Sequence, residues 1–362
     1  MSYIGENSIF SLRDGYCEIK NTDSEISAAF EIGRRIAPFF RCFCAGCGNF
    51  SQNHLLHAVC CGIAEGGRDV YICENTDMPS FRFSLPLLSA DCGIYLSDSG
   101  KLKFSFFSKN GFKLSNYQLA VLLDDKKHEK LQKFGRIIPV MSFRDIYIAN
   151  LRASLADNKL KFVAGTSCGN KSVRMLWERF FSDEESSLSF QISDDGSRVN
   201  AYSTEMGFLP YEKLAAIYAM KMCAEGKKVY LPQKFHYAAD FINNRFNNSI
   251  IRFDPENYIP EDAVKQRFLT DTLFMCVQLC SDMDSFIKNA SFLPVFASAK
   301  REITTENCDI LPDNKHIFKL GGRIYISKSG KSRISLLVQS LSAETATELC
   351  SEWTEKIRNI VK

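Results

Sequence analysis

The N-terminal part of the chain alternates between helical and strand-like spacing of its apolar residues. Apolar and small residues recur at positions 26, 30, 33 and 36, which predicts a helix over 25–37 that ends at Pro38. The same reasoning predicts helices over 51–66 and 79–89, and strands over 39–45, 69–73 and 92–96. Helices that alternate with short apolar strands favour an α/β layer with a largely parallel sheet.

The alternation restarts after a charged stretch at 124–133. Strands are predicted over 160–164, 188–192, 199–202 and 228–231, and helices over 171–181, 211–225, 235–245 and 262–281. The last of these is predicted as one long helix, because Val264, Phe268 and Leu273 fall on one side of it. The α/β unit therefore recurs up to three times along the chain.

The C-terminal part has a different pattern. Two strands, 323–326 and 333–338, bracket the polar segment 327–332. A helix is predicted over 343–360, because its apolar positions 346, 349, 353, 357 and 360 form an amphipathic stripe. Two strands and a helix in about fifty residues indicate a small α+β lobe.

Composition and charge exclude several classes of protein. The chain has 362 residues, of which 45% are hydrophobic and 24% charged, as in globular proteins rather than disordered chains. A net charge of +3 gives no indication of a nucleic-acid partner. The longest uncharged run, Cys42–Ala64, contains Gly, Asn, Gln and His residues, so no membrane-spanning segment is predicted. The first residues lack a signal-peptide pattern, so we expect a cytoplasmic protein with free thiols.

The chain contains 14 cysteines, and several lie near histidines in the N-terminal part. Thiolate and imidazole are the ligands that zinc prefers, so these residues are candidates for a zinc site. However, the paired knuckles of a structural zinc site are absent, and the alternative is that the thiols are small buried apolar groups. We favour the second interpretation for this group, which comprises Cys42, Cys44, Cys47, His54, His57, Cys60 and Cys61.

Three polar turns stand in order along the chain, at 97–100, 193–198 and 327–332. The first follows the strand 92–96, and the segments Ala58–Val70 and Cys92–Ser99 around it resemble the helix, strand and serine loop of the α-D-phosphohexomutase family, the phosphoglucomutases and phosphomannomutases. This resemblance places Ser99 on the family's phosphoserine and Lys101 within its His-Asn-Pro segment. The family's Asp and Arg before a Ser-Ser pair fall on Cys47 and Asn49.

The second turn, 193–198, resembles the family's Asp-Gly-Asp-x-Asp-Arg loop, in which three carboxylates hold Mg²⁺. Aligned on Arg198, the three carboxylate positions are Ser193, Asp195 and Ser197. Mg²⁺ requires several charged or carbonyl oxygens, so Asp195 with the adjacent Asp194 is expected to hold it only weakly. The alternatives are that Asp195 is a solvated turn residue and that Arg198 pairs with one of the two aspartates.

The third turn resembles the family's phosphate-binding loop, and hydroxyls, backbone amides and cations suit a phosphate there. The resemblance implies phosphate contacts from Lys328, Ser329, Gly330, Lys331 and Arg333. An ordinary hairpin turn is the alternative for this segment, as a turn-stabilising role is for Ser99.

The family's sugar-binding loop has no counterpart between Arg252 and Asp271. The resemblance therefore implies a shortened multidomain α/β chain: a first domain over 1–145, reduced second and third domains over 146–210 and 211–310, and a C-terminal lobe over 311–362.

Three functions follow as hypotheses. The first is a degenerate mutase-like protein of weak or absent activity that binds a phosphorylated hexose or a protein partner. The second is an active isomerase that transfers phosphate through Ser99. The third is a regulatory or structural protein with a cysteine-rich zinc site.

Overall fold

The computed structural model describes residues 10–13, 16–19, 25–98, 102–124, 133–140, 143–155, 161–182, 186–247, 249–255, 258–304, 315–319, 322–328 and 333–360. The chain divides into two compact units. The larger unit comprises 2–211 and 255–283, and the smaller unit comprises 212–254 and 284–362.

The structure is mixed α/β, as the sequence pattern predicted. Its strands are β1 Phe10–Arg13, β2 Tyr16–Ile19, β3 Cys42–Cys47, β4 Asp69–Cys73, β5 Cys92–Asp98, β6 Leu102–Ser108, β7 Ile137–Pro139, β8 Phe162–Val163, β9 Gly165–Ser167, β10 Phe181–Ser182, β11 Leu188–Ile192, β12 Val199–Ser203, β13 Gly207–Leu209, β14 Val229–Pro232, β15 Ile250–Phe253, β16 Ala297–Thr304, β17 Lys315–Lys319, β18 Gly322–Lys328 and β19 Arg333–Ser340. Its α-helices are α1 Glu25–Ile36, α2 Asn53–Glu65, α3 Met78–Leu87, α4 Asn116–Leu122, α5 Phe143–Ala153, α6 Lys171–Trp177, α7 Tyr211–Ala224, α8 Ala238–Arg245, α9 Glu261–Lys265, α10 Thr272–Cys280, α11 Met283–Phe292 and α12 Ala343–Ile360.

A seven-stranded sheet organises the larger unit, in the order β1-β2-β6-β5-β3-β4-β7. Strands β5, β3, β4 and β7 are parallel, whereas β6, β2 and β1 add antiparallel pairs. The sheet is therefore mixed, and only the half formed by β5, β3, β4 and β7 is parallel as predicted. Helices α1 and α2 pack together over a core that includes Ile32, Val59 and Ile94, all fully buried.

The larger unit also contains a four-stranded sheet in the order β13-β12-β11-β9. Strands β11 and β12 form an antiparallel hairpin in which Ile192 pairs with Val199. Alternate residues of β11 are buried, because one face of the sheet covers a cluster of Trp177, Phe181 and Phe190 rings. This hairpin presents the 193–198 turn at its tip.

Some predicted boundaries were wrong. The 262–281 segment is not one helix but α9, a 3-10 turn over Arg267–Leu269, and α10. The interruption arises because Asp271 adopts an extended conformation and caps α10 by accepting a hydrogen bond from the Phe274 N–H. Ser97 and Asp98, which were predicted to start a polar turn, instead pair with β6 as part of β5.

The smaller unit contains the C-terminal lobe. Its four-stranded antiparallel sheet has the order β16-β19-β18-β17, and α12 covers one face of it. The helix bounds 343–360 match the sequence prediction, and the stripe residues Ala346, Leu349 and Ile357 are buried. They pack with Ile324, Leu336 and other apolar residues of the sheet. A parallel pair, β14 and β15, belongs to the same unit.

None of the helices in the described ranges combines the length and apolar character needed to cross a membrane.

Candidate functional site

A cleft of about 1030 Å³ opens in the larger unit, where the carboxyl ends of β3 and β5 meet the 193–198 turn and the segment before α6. Its side chains are mostly hydroxyls, amides and cations, with two carboxylates. The lining residues are Tyr16, Gly48, Asn49, Gln52, Asn75, Tyr95, Leu96, Ser97, Lys103, Arg144, Gly169, Asn170, Lys171, Ser172, Met175, Ile192, Ser193, Asp194, Asp195, Ser197 and Arg198. Such a set suits a polar, anionic ligand.

The 193–198 turn is closed by its own hydrogen bonds. The Gly196 N–H donates to the Ser193 carbonyl (2.8 Å), and Gly196 has φ = +75°, which a glycine adopts without strain. One carboxylate oxygen of Asp195, Oδ1, accepts hydrogen bonds from the Ser193 hydroxyl (2.7 Å), the Ser197 N–H (2.9 Å) and the Ser197 hydroxyl (2.8 Å). Asp195 therefore organises the turn.

The same bonds decide how well this turn fits Mg²⁺. Ser193 and Ser197, the two serines at the predicted carboxylate positions, direct their hydroxyls to Asp195, and Oδ1 of Asp195 is already engaged. In the described part of the chain, no three His, Cys, Asp or Glu side chains form a metal-ligand group. The turn therefore offers Mg²⁺ fewer free carboxylate oxygens than a loop with three carboxylates would.

Arg198 and Asp194 lie on the exposed side of the turn. Arg198 is fixed through its backbone, since its N–H donates to the Ser193 hydroxyl at 2.9 Å. Within the described residues, no ion pair joins its guanidinium to Asp194 or Asp195, so the pairing alternative was wrong. The Asp194 carboxylate lies over Gly169, where an added Cβ would stand 2.6 Å from Oδ1.

The serine-loop residues are only partly described. Ser97 lines the cleft, whereas Ser99 and Lys101 lie outside the described residues. Beneath this strand, the buried Tyr95 hydroxyl donates to the Thr76 carbonyl at 2.8 Å, and burial raises the pKa of Tyr95 well above its ordinary value. Tyr95 is therefore a neutral structural donor.

The structure adds cations that the sequence analysis missed. Arg144 of α5 donates to the Ser172 hydroxyl (2.7 Å) and lies 3.6 Å from Asp77, the buried N-cap of α3. Lys171 and Ser172 begin α6, whose N-cap Asn170 accepts from the Ser172 N–H. The Gly169-Asn170 turn before a helix was a usable sequence signal for these two residues. Arg144 offered none, because α5 was not predicted.

The third predicted turn belongs to the smaller unit. Strands β18 and β19 form the predicted hairpin, and Lys328 pairs with Ile334 at its end. For Lys328 and Arg333 the structure describes the backbone, while Ser329, Gly330 and Lys331 lie outside the described residues. The phosphate contacts assigned to this segment stay a prediction.

The cysteines pack mainly as small apolar groups. Cys44, Cys47 and Cys60 are buried, and burial raises the pKa of the Cys47 thiol to about 11. Cys44 lies 3.7 Å from the Cys73 sulfur within a core of aromatic and aliphatic residues. His57 is exposed and contacts Glu74 at 2.8 Å. Neutral buried thiols of this kind serve packing rather than metal binding.

Replacing Asp195 should destabilise the turn. We expect Asp195→Ala to lower the free energy of unfolding by about 1–2 kcal/mol, because three donors lose a charged acceptor. Urea titration measures this loss. The matched control is Asp194→Ala, an exposed neighbour that should change stability by less than about 0.5 kcal/mol. Equal effects of the two variants would contradict the organising role of Asp195.

Comparison with known proteins identifies the fold. No family model and no curated protein matches the sequence. The structure is similar to that of a phosphoglucomutase/phosphomannomutase family protein from Burkholderia thailandensis, with a TM-score of 0.68, 11% identity, and coverage of 97% of this chain and 96% of that one. It is also similar to a protein assigned as a phosphomannomutase from Thermus thermophilus, with a TM-score of 0.64, 14% identity, and coverage of 93% and 95% of the two chains. The chain therefore has the fold of phosphoglucomutase/phosphomannomutase family proteins.

Proposed function

We propose that the cleft of the larger unit binds a phosphorylated hexose and that mutase turnover there is weak or absent. The observation that carries the proposal is the 193–198 turn, in which a mutase-like position keeps one carboxylate, and that carboxylate is used to hold the turn. The cleft keeps the groups for binding, while the groups for charge stabilisation during phosphoryl transfer are reduced.

The binding half of the proposal rests on the chemistry of the lining residues. Arg144 and Lys171 supply cationic donors for a phosphate, and Ser172 adds a hydroxyl beside them. The amides of Asn49 and Asn170 and the Ser97 hydroxyl supply neutral donors and acceptors for sugar hydroxyls. An anion that carries several hydroxyls can bind both the cationic groups and the neutral groups of the cleft.

The weak-turnover half rests on what the turn lacks. Transfer of a phosphoryl group is driven mainly by positioning and by cations that neutralise developing charge. Each lost charge-stabilising group typically lowers kcat by about a hundredfold to a thousandfold. With serine at two of the three aligned carboxylate positions, we expect kcat below about 0.1 s⁻¹, against about 1–1000 s⁻¹ for typical enzymes.

Two measurements on the purified chain test this proposal. Thermal shift with glucose 1-phosphate, glucose 6-phosphate and the mannose equivalents should show stabilisation, about 2.7 kcal/mol at a hundredfold excess over Kd, that is independent of Mg²⁺. A coupled assay for conversion of glucose 1-phosphate to glucose 6-phosphate, with glucose 1,6-bisphosphate present, should show almost no turnover.

Opposite results separate the hypotheses. Ordinary turnover that Ser99→Ala abolishes, with phosphate found on Ser99 by intact mass, would establish an active mutase instead. No shift with any hexose phosphate would remove the binding role and favour a protein partner.

Lys331→Ala tests the 327–333 segment separately: weaker phosphosugar binding supports its proposed phosphate contacts, and unchanged binding makes it an ordinary hairpin turn.

A further inference from the structure

Gln52 is a buried polar residue in the wall of the cleft. It ends a 3-10 turn, Phe50–Gln52, and occupies the N-cap position of α2. The residue lies in the wall of the cleft and is only 4% exposed. Among the described residues, neither the amide nitrogen Nε2 nor the amide oxygen Oε1 has a hydrogen-bond partner.

The surrounding residues do not explain this amide. Gln52 does not cap α2 with its side chain. Two neighbouring amides make contacts with other groups: Asn170 donates to the Gly48 carbonyl at 3.3 Å, and the Asn49 side-chain oxygen accepts from the Ser51 N–H at 3.2 Å. A buried amide with both ends unpaired lowers stability, so its presence at a cleft wall indicates a partner supplied by a ligand.

We propose that Gln52 recognises a pair of hydroxyl groups on the sugar ring of the bound phosphosugar, which makes it a specificity-determining residue. This inference rests on the proposed function. An amide both donates, through Nε2, and accepts, through Oε1. A phosphate oxygen only accepts hydrogen bonds, so it cannot donate one to Oε1. Two adjacent hydroxyls can satisfy both atoms, because one donates to Oε1 and the other accepts from Nε2.

The placement of the cations supports this division of the ligand. Gln52 and its sequence neighbours Gly48 and Asn49 are uncharged, while the four cationic lining residues belong to other segments of the chain: Lys103, Arg144, Lys171 and Arg198. The hydroxyl-bearing ring therefore contacts the Gln52 segment, and the anionic group is left to the cations.

The test is a thermodynamic cycle between protein and ligand. Isothermal titration measures binding of glucose 6-phosphate and its monodeoxy analogues to the wild type and to Gln52→Met, which keeps the length of the side chain and removes the amide. We expect wild type to bind at least one monodeoxy analogue about tenfold more weakly than the parent, and Gln52→Met to lose that difference. Without ligand, Gln52→Met should melt at the same or a higher temperature, because two unpaired polar atoms are removed.

The control is Gln191→Met, the same change at an exposed residue of β11 that does not line the cleft. It should leave both binding and melting unchanged. If wild type binds no hexose phosphate, the proposed function fails, and this inference fails with it. If wild type binds and Gln52→Met discriminates equally well, the inference alone is overturned. A clear drop in melting temperature without ligand would also overturn it, since the amide would then hold the fold.

Discussion

Asp271→Ala is expected to lower the free energy of unfolding by about 3–5 kcal/mol. Asp271 is only 2% exposed, and its carboxylate receives Arg267 Nε at 2.7 Å, the Tyr147 hydroxyl at 2.8 Å and the Phe274 N–H at 2.9 Å. Alanine removes the cap of α10 and leaves a guanidinium and a phenol without their buried acceptor. The substitution therefore removes three stabilising interactions at once.

Urea unfolding followed by fluorescence measures the effect in the larger unit. The chain has two tryptophans, Trp177 in the larger unit and Trp353 in the smaller, so a Trp353→Phe background isolates the larger unit's signal. Asp271→Asn is the conservative variant and should lose less, since its amide oxygen still accepts from Tyr147 and Phe274. The control Asp145→Ala, at an exposed helical position, should cost below about 1 kcal/mol. A loss at Asp271 no larger than that control would contradict the network.

The same residue shows where sequence reasoning stops. Periodicity predicted helix on both sides of Asp271, and both α9 and α10 are helical. It could not show the interruption, because the Tyr147 hydroxyl that helps to hold Asp271 belongs to a helix 124 residues earlier in the chain. By contrast, α12 was predicted with its observed bounds, because an amphipathic stripe that packs on one sheet depends on local spacing alone.

The candidate site divides in the same way. The 193–198 turn was predicted, because Gly196 between polar residues is a local signal, and its hydrogen bonds are local too. Arg144 and Gln52 carry no such signal, since their positions in the cleft follow from the packing of α5 and α2. The fold resemblance was recognisable because the order of strands and helices persists at 11% identity.

Gly62→Ala is expected to lower the free energy of unfolding by about 3 kcal/mol, although alanine favours helices by about 1 kcal/mol over glycine. Helices α1 and α2 meet backbone to backbone. A Cβ on Gly62 would lie 2.1 Å from the Phe30 carbonyl oxygen, and a Cβ on Gly33 would lie 2.1 Å from the Val59 carbonyl oxygen. A backbone atom cannot turn aside as a side chain does, so the helices must separate.

This reciprocal contact makes a sharper prediction for the double variant. Once Gly62→Ala has moved the helices apart, much of the space that Gly33→Ala needs is already open. We therefore expect the double variant to lose less free energy of unfolding than the sum of the losses in the two single variants. Urea unfolding of the two single variants and the double variant measures the coupling. Cys61→Ala, an exposed position next to Gly62 on α2, is the matched control and should change stability by less than about 0.5 kcal/mol. Strict additivity of the two losses would contradict the coupling that the paired 2.1 Å distances predict.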